Sequence, residues 1–454
     1  MTIFLVVLCI QILFFAAYSI FRRPMGIGAF LVLSQLTAQY LLVEFDLGPF
    51  SLRVYLCAAL SVAALASSAL FLRRWSEVPG LAPITGVWLA YLLWYLVASV
   101  FNGNLGQPLE FGVNFLSVYL LPTLVCLSMV ALLRDHLEME GVAIWLALIA
   151  TANAAFAVLQ SAGVSFAWNV HKLLFPIRNI TTEDMRLQRG NWYIDGWPPG
   201  LSSYSIATSF VVLCFGVLWA TYAAQCWHRR QYLRTLVCLL LLVLVEAGNV
   251  AAMSRSSIYL LPLGCLLALQ IRDERGSKSA TLLAVAAAMI AAVAFAYVSK
   301  KVIDLNVSQE RTIALERIYD FDAGGRVDLI RESLAYAADN IVFGGAAEAL
   351  KQGAIALTPH NTFINALLWA GAPGLILMLG FVFLLVYYMF ILPRHQLSHS
   401  GPAGTLAHGL AVCLIMYLCK GMLHSDSFTT GGTIGWHLIG LWVVARHAAL
   451  GVRR

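Results

Sequence analysis

A histidine in the second half of the chain is the first residue whose surroundings suggest chemistry. His360 lies in the run Thr358-Pro359-His360-Asn361, where Thr358 fits a helix N-cap and Pro359 fits the first helical position. The partial positive charge of a helix N-terminus disfavours imidazolium, so the ring stays neutral and can accept a proton. His360 is therefore a candidate general base; the alternative is a structural hydrogen-bonding histidine. Asn361 either orients the ring or caps the turn.

A set of arginines forms the second group of candidates, because guanidinium matches phosphate oxygens bidentately and keeps its charge when partly desolvated. Arg255 lies in a very short turn between two apolar runs, and its alternative interpretation is a snorkelling side chain. Arg326 can instead pair with Glu332 or Asp322. The candidates for phosphate binding are Arg186, Arg189, Arg255 and Arg326.

Acidic residues and metal-ligand spacings give weaker signals. Glu246 lies inside an apolar run, where a carboxylate is a functional candidate by default or else neutralises a buried partner. Asp320 and Asp322 resemble a metal-binding pair, but a solvated loop turn is the preferred interpretation. His395 and His399 have helical spacing and fall in a connector. We therefore predict no metal and no cofactor.

The elements that must position these residues are membrane spans. The chain has 454 residues, of which 60% are hydrophobic and 11% charged, whereas soluble domains contain about 25% charged residues. Apolar runs long enough to cross a hydrocarbon core recur throughout and predict an all-α polytopic membrane protein, a single integral domain over 1–454 with 12 or 13 transmembrane helices. The candidate spans are 2–21, 24–43, 53–72, 81–101, 111–133, 141–164, 200–224, 235–252, 256–271, 280–298, 374–391, 405–422 and 432–449.

Lysine and arginine in the short loops predict the orientation, because they are retained on the cytoplasmic side. One alternating set of loops carries fifteen basic residues, and the other carries three: Arg53, Arg255 and Lys420. The first set is therefore predicted to be cytoplasmic. Two long loops, 165–199 and 299–373, fall on the opposite, outer side.

The second long loop is predicted to contain short helices. An amphipathic helix should begin at Arg326 and end before Gly344-Gly345, because its apolar residues share one face, namely Val327, Ile330 and Leu334. Another short helix is expected around 346–352.

The apolar run 359–370 is too short to span a membrane. The sequence Gly371-Ala372-Pro373-Gly374 separates it from the span 374–391. We therefore expect a short helix that lies at the membrane surface or dips into it, with His360 in its N-terminal turn.

At these residues the sequence resembles the O-antigen ligase and O-antigen polymerase superfamily, which are bacterial membrane glycosyltransferases. The family usually has glycine after the Ser-Arg pair where this chain has Ser256. The resemblance covers roughly residues 185–390. Three segments carry it: Pro359-His360-Asn361 with Gly371, Gly374 and the upstream stretch from Gly325-Arg326 to Phe343-Gly344-Gly345; Met253-Ser254-Arg255-Ser256; and Arg189-Gly190 with Pro198-Pro199.

The resemblance implies a GT-C-like enzyme of the bacterial inner membrane with its active site facing the periplasm. The implied reaction is inverting transfer of a glycan from undecaprenyl diphosphate to an acceptor hydroxyl, without a metal. Arg189 and Arg255 would stabilise the leaving diphosphate, and His360 would take the acceptor proton or orient the hydroxyl. Arg186 and Arg326 would assist at the diphosphate, and Asn361 and Glu246 would be supporting residues. The partners would be the lipid-linked donor, the acceptor and membrane lipid, with no nucleic acid.

Several functions remain open at the level of sequence. A ligase uses lipid A-core as the acceptor, whereas a polymerase uses a second undecaprenyl-linked glycan, and the short helix after Pro-His-Asn slightly favours the ligase.

An oligosaccharyltransferase acting on protein is disfavoured because no extra C-terminal domain follows the spans. A transporter or flippase usually has two related halves and broken helices at the midplane. No such repeat is visible here.

Overall fold

The chain is helical apart from turns and one small hairpin in the part that the structure describes. In this hairpin Asp46–Leu47 (β1) pairs antiparallel with Phe50–Ser51 (β2). The computed structural model describes residues 2–41, 46–47, 50–67, 74–102, 108–174, 198–202, 205–252, 254–269, 326–345, 361–393, 401–422, 428–429 and 432–451.

Residues 2–174 contain eight of the helices described here. A π-helical segment, Leu116–Leu120, joins α5 to α6. Helix α8 falls within the first predicted long loop, of which 175–197 lie outside the described residues. The helices are α1 (Thr2–Phe21), α2 (Ile27–Leu41), α3 (Leu52–Ala66), α4 (Leu81–Phe101), α5 (Pro108–Phe115), α6 (Leu121–Leu132), α7 (His136–Ser161) and α8 (Ser165–Leu174).

The second half adds the helices that carry most of the candidate residues. The helix predicted from Arg326 is confirmed as α12, but Leu334 of the predicted apolar face is 46% exposed, and Ser333 and Ala337 are buried instead. The predicted helix around 346–352 and the predicted span 280–298 lie outside the described residues. The helices are α9 (Ser205–His228), α10 (Tyr232–Ala251), α11 (Arg255–Leu269), α12 (Arg326–Asp339), α13 (Thr362–Val386), α14 (Gly401–Gly421) and α15 (Ile434–Gly451), and a π-helical segment, Tyr387–Ile391, extends α13.

Length and composition confirm a polytopic all-α membrane protein. Among the described residues, seven helices are long and apolar enough to cross a membrane, and four shorter helices are also apolar. A helix coincides with each of the twelve predicted spans that fall in the described part.

Helix α9 forms the centre of the bundle and is almost completely enclosed by α7, α10, α11 and α14. Small residues allow this close approach. Gly216 faces Val245, and Gly409 of α14 faces Thr221, so tightly that an added Cβ would clash at either position. Packing of small residues is the usual driving force between helices in lipid, where burial of apolar surface contributes little.

Helix α13 has a kink at the position where the sequence predicts a break. Gly371 has φ 67° and ψ −170°, a conformation that is not helical and that favours glycine. Pro373 follows and has no N–H to donate to the preceding turn. The short helix expected from the run 359–370 is therefore the N-terminal part of α13.

The segment 340–345 after α12 and Trp94 of α4 together bond backbone groups around the kink. Its docking also fixes α12 against the N-terminal part of α13. The contacts are Gly345 N–H to the Leu368 carbonyl (2.8 Å), Ala372 N–H to the Ile341 carbonyl (2.7 Å), Trp94 Nε1 to the Ala370 carbonyl (2.7 Å) and Asn102 Nδ2 to the Phe343 carbonyl (2.7 Å).

The bundle has two chemically different ends. The arginine-rich end comprises residues 22–26, 74–80 and 133–136, all next to loops that the charge count predicts to be cytoplasmic. Its contacts are Arg23 to Asp135 (2.7 Å), Arg22 to Glu140 (3.7 Å), Arg74 to the carbonyls of Val130 and Arg134 (both 2.5 Å), and His447 to Glu77 (2.8 Å).

We call the opposite end the Asn361 end; it comprises residues 198–202, 252, 254–255, 340–345, 361–362 and 420–422. All these segments belong to loops or span ends that the sequence assigns to the outer side. The structure thus sorts the loops as the charge pattern predicts, and which end faces the cytoplasm stays a prediction.

Candidate active site

A tight turn between α10 and α11 places Arg255 at the start of a helix. The Ala252 N–H donates to the Gly248 carbonyl (2.9 Å), and the Ser254 N–H donates to the Asn249 carbonyl (3.3 Å). Arg255 is then the first residue of α11 and is described here by its backbone alone. The partial positive charge of a helix N-terminus makes such a position suitable for an anion.

Asn361 is the N-cap of α13. Its side-chain oxygen accepts hydrogen bonds from the N–H groups of Phe363 (2.9 Å) and Ile364 (3.1 Å). The predictions that Thr358 is the N-cap, that Pro359 is the first helical residue and that His360 lies in the first turn are therefore wrong, because Asn361 has extended backbone angles and the helix begins at Thr362. Of the two roles considered for Asn361, capping is confirmed. His360 immediately precedes this cap and lies outside the described residues.

The end of α14 holds the beginning of α13. Asn361 Nδ2 donates to the Met422 carbonyl (3.0 Å), and the Thr362 hydroxyl donates to the Gly421 carbonyl (2.8 Å). The last carbonyls of a helix have no partner within that helix and need one elsewhere. The chain on the C-terminal side of His360 is therefore tied to α14.

Lys420, at the same end of α14, is fully buried among serines. Its ammonium donates to Ser209 Oγ (2.5 Å), to Ser254 Oγ (3.2 Å) and to Ser257 Oγ. It also lies 4.5 Å above the centre of the Phe210 ring. Helix α14 thereby contacts both the turn before Arg255 and the residues after His360.

The third predicted segment reaches the Asn361 end through the residues that follow its arginines. Arg186 and Arg189 lie outside the described residues. After them, the Gly200 N–H donates to Gln160 Oε1 (2.8 Å), and the Leu201 N–H donates to Asn153 Oδ1 (3.0 Å). Both acceptors belong to α7, so this segment enters α9 from a fixed position.

Comparison with known proteins gives one result for this region. Residues 237–379 match the family model described as O-antigen ligase. This segment belongs to the O-antigen ligase and polymerase superfamily. No curated protein matches the chain.

The O-antigen ligase segment runs from within α10 into α13 and includes Glu246, Arg255, Arg326, His360 and Asn361. The family implies a glycosyltransferase-like enzyme that acts on lipid-linked glycans. The match ends before Lys420, which the structure nevertheless places beside the segment.

Glu246 of the O-antigen ligase segment is buried on α10. Asn249 Nδ2 donates to its Oε2 at 3.3 Å. Glu246 lies five residues before the end of α10, so it is about 7.5 Å along the helix axis from that end. It thus lies about midway between the middle of α10 and the Asn361 end.

Arg326 is the first residue of α12 and, like Arg255, is described by its backbone alone. Helix α12 buries Ser333 and Ala337 and packs Ala337 with Leu367 and Leu368 of α13. Arg326 therefore belongs to an element that docks on the helix following His360.

Sequence reasoning missed two buried polar residues at this end. The sequence marks Lys420 only by its place among the three basic residues of the loops predicted to be outer. Arg255 is marked in the same way. Asn365 of α13 is 1% exposed, and neither polar atom of its amide has a hydrogen-bond partner in the part of the chain described. Helical spacing alone does not distinguish such an asparagine from a surface residue.

Proposed function

We propose that the protein is an O-antigen ligase-like glycosyltransferase that moves a glycan from undecaprenyl diphosphate to a hydroxyl of lipid A-core. The observation that carries this proposal is the match of residues 237–379 to the O-antigen ligase family. The arrangement of the Asn361 end supports it, because α14 joins the turn before Arg255 to the residues following His360.

The proposed reaction needs a cationic site for the leaving group. The acceptor oxygen attacks the anomeric carbon, the bond from that carbon to the diphosphate oxygen breaks, and the electron pair goes to the diphosphate. Arg255 and Arg189 would stabilise the charge that develops, and such pre-placed cations commonly supply the largest catalytic effect. The position of Arg255 at a helix N-terminus adds backbone N–H groups to the guanidinium. Arg186 and Arg326 would contact more distant phosphate oxygens.

His360 would receive the proton of the acceptor hydroxyl or hold that hydroxyl in line. The cap at Asn361 and its bond to Met422 fix the chain on the C-terminal side of His360. A base attached to a fixed backbone loses less entropy when it meets the acceptor, which favours reaction. No metal enters this scheme, since the arginines would neutralise the diphosphate. Inversion follows from a single displacement.

Both substrates are lipid-borne, so the site would open sideways to the membrane. We place it on the periplasmic face of the bacterial inner membrane, because the short loops at the Asn361 end carry few basic residues and long loops cross the membrane regardless of their charge. Glu246 would lie below the turn and stabilise the local backbone through Asn249.

Deletion of the gene and analysis of the surface glycans test this proposal. A ligase deletion should leave unmodified lipid A-core and accumulate undecaprenyl-linked polymer. Lipid A-core carrying a single repeat would instead indicate the polymerase reaction. Retention of the lipid-linked glycan on the cytoplasmic face would indicate a flippase and overturn the enzyme proposal.

A reconstituted assay makes the same distinction without other cellular proteins. The full chain in vesicles receives an undecaprenyl-diphosphate glycan with or without lipid A-core. Product on lipid A-core supports the ligase, and longer glycans formed from donor alone support the polymerase. A His360→Ala variant supplies the inactive control.

A further inference from the structure

Lys420 is a buried cation at the meeting point of four elements. Its relative exposure is 0%, and its hydrogen-bond partners come from α9, from the turn before α11 and from α11 itself. The aromatic face of Phe210 covers the ammonium at 4.5 Å, within the range of a cation–π contact. The lysine thus joins α14 to α9, to the Ser254-Arg255 turn and to the helix that follows this turn.

A charge in this position needs a reason. An ammonium inside a membrane protein is costly, and an apolar residue of similar volume would pack α14 against α9 without that cost. Three hydroxyl oxygens and an aromatic ring reduce the cost, but they require that Ser209, Ser254 and Ser257 converge on one point. The cluster therefore fixes the geometry of the turn more strictly than apolar packing would.

The two carbonyls that follow Lys420 extend this effect to the other half of the site. Gly421 and Met422 accept hydrogen bonds from Thr362 and Asn361. A single helix end therefore sets the position of the Arg255 backbone relative to the residue after His360.

We propose that Lys420 is a positioning residue, which holds the Ser254-Arg255 turn and the start of α13 in register so that Arg255 and His360 act on the same substrate. This inference rests on the proposed function. Lys420 does not itself touch the diphosphate, because its ammonium is enclosed by protein. It acts through Arg255.

A double-mutant cycle tests this coupling, because residues that act through one another give non-additive effects. Lys420→Met keeps an unbranched apolar side chain and removes the charge. In the reconstituted assay we expect it to lower kcat/KM for the donor about 10- to 100-fold, as misplacement of a catalytic group by about 1 Å does. Combined with Arg255→Lys, it should cause little further loss. A double-mutant effect equal to the product of the two single effects would overturn the inference.

Arg446→Met is the matched control, since Arg446 is a buried cation, 3% exposed, on α15. Arg446 precedes His447, which binds Glu77 of the arginine-rich end, so Arg446 lies toward that end. The fall in kcat/KM when Arg446→Met is combined with Arg255→Lys should equal the product of the falls caused by the two single substitutions. If Lys420→Met does not insert, Ser257→Ala removes one partner of the ammonium and enters the same cycle. Additivity of Ser257→Ala with Arg255→Lys would equally contradict the proposal.

A binding measurement separates this inference from the proposed function. If the wild-type protein transfers no glycan to any acceptor, the proposed function fails, and the affinity for undecaprenyl diphosphate is measured instead. Lys420→Met should weaken binding about 10-fold, whereas Arg446→Met should leave it unchanged. Equal binding by wild type and Lys420→Met would overturn the positioning role. If wild type transfers glycan and Lys420→Met does so equally well, the positioning role alone is wrong.

Discussion

At the scale of single residues, Asn361 connects local helix structure to the candidate site. Its side-chain oxygen caps α13 and its amide nitrogen binds α14, so one carboxamide performs two tasks. Aspartate would retain the cap but lose the donor to Met422. The two sets of hydrogen bonds therefore fix the backbone immediately after His360 in the chain.

Substitution of His360 distinguishes proton transfer from orientation. His360→Ala should abolish glycan transfer, because removal of a general base costs about 100- to 10,000-fold in rate. His360→Gln can still hydrogen-bond but cannot carry a proton away. If the reconstituted His360→Gln variant is active and the His360→Ala variant is not, His360 orients the acceptor hydroxyl and does not take its proton. Near-normal activity in both variants would make His360 structural, and His228→Ala controls for loss of a histidine elsewhere.

Arg255→Lys tests the diphosphate site. Lysine keeps the charge but lacks the planar fork that matches phosphate oxygens, so we expect most of the activity to be lost. Arg331→Ala on α12 should change turnover little. The measurement is initial rate with the undecaprenyl-diphosphate donor at several concentrations. Wild-type turnover in Arg255→Lys would assign that arginine to packing or topology.

At the scale of elements, the segment 340–345 docks on α13 through two interlocking glycines. Gly344 has φ 74°, and a Cβ on it would clash with the Leu368 carbonyl. Gly371 has φ 67°, and a Cβ there would clash with the Val342 carbonyl. Each glycine therefore accommodates the backbone beside the other, and α12 is held against α13.

Gly371→Ala should undock this contact. The substitution introduces both an unfavourable φ and a backbone clash, so we expect a loss of more than about 1 kcal/mol of stability. The apparent melting temperature in detergent and proteolysis between α12 and α13 would report it. Gly380→Ala in the same helix is the control, because a Cβ there meets only Val87 at an ordinary 3.7 Å. Equal stability of the two variants would contradict the interlock.

At the scale of the whole molecule, the bundle separates two sets of loops. Arginines with carboxylate and carbonyl partners occupy one end, and the hydrogen-bonded turns around Arg255 and Asn361 occupy the other. The separation agrees with alternating spans whose basic loops stay on one side. The protein is thus polarised along its membrane axis before any substrate binds.

Cysteine labelling tests the orientation of this axis. In a variant without the nine native cysteines, Ser308→Cys should react with an impermeant thiol reagent in intact spheroplasts. Ser277→Cys should react only after lysis, because its loop is predicted to be cytoplasmic. The reverse pattern would overturn the orientation and move the proposed site to the cytoplasmic face.

The sequence by itself determined the spans, the two sets of loops and the segments that resemble the family. These features are local, because a run of apolar residues, a charge bias or a Pro-His-Asn run needs no information from distant residues. The kink at Gly371 was also predictable, since glycine and proline limit the backbone wherever they occur.

Only the tertiary structure decided which segments meet. The amide of Asn361 donates to the Met422 carbonyl, which lies 61 residues further along the chain. Lys420 meets Ser209 across 211 residues, and no local pattern marks that pairing. Hydrogen bonds between distant residues depend on helix packing, which in lipid follows from close fit between surfaces rather than from the hydrophobicity that a sequence displays.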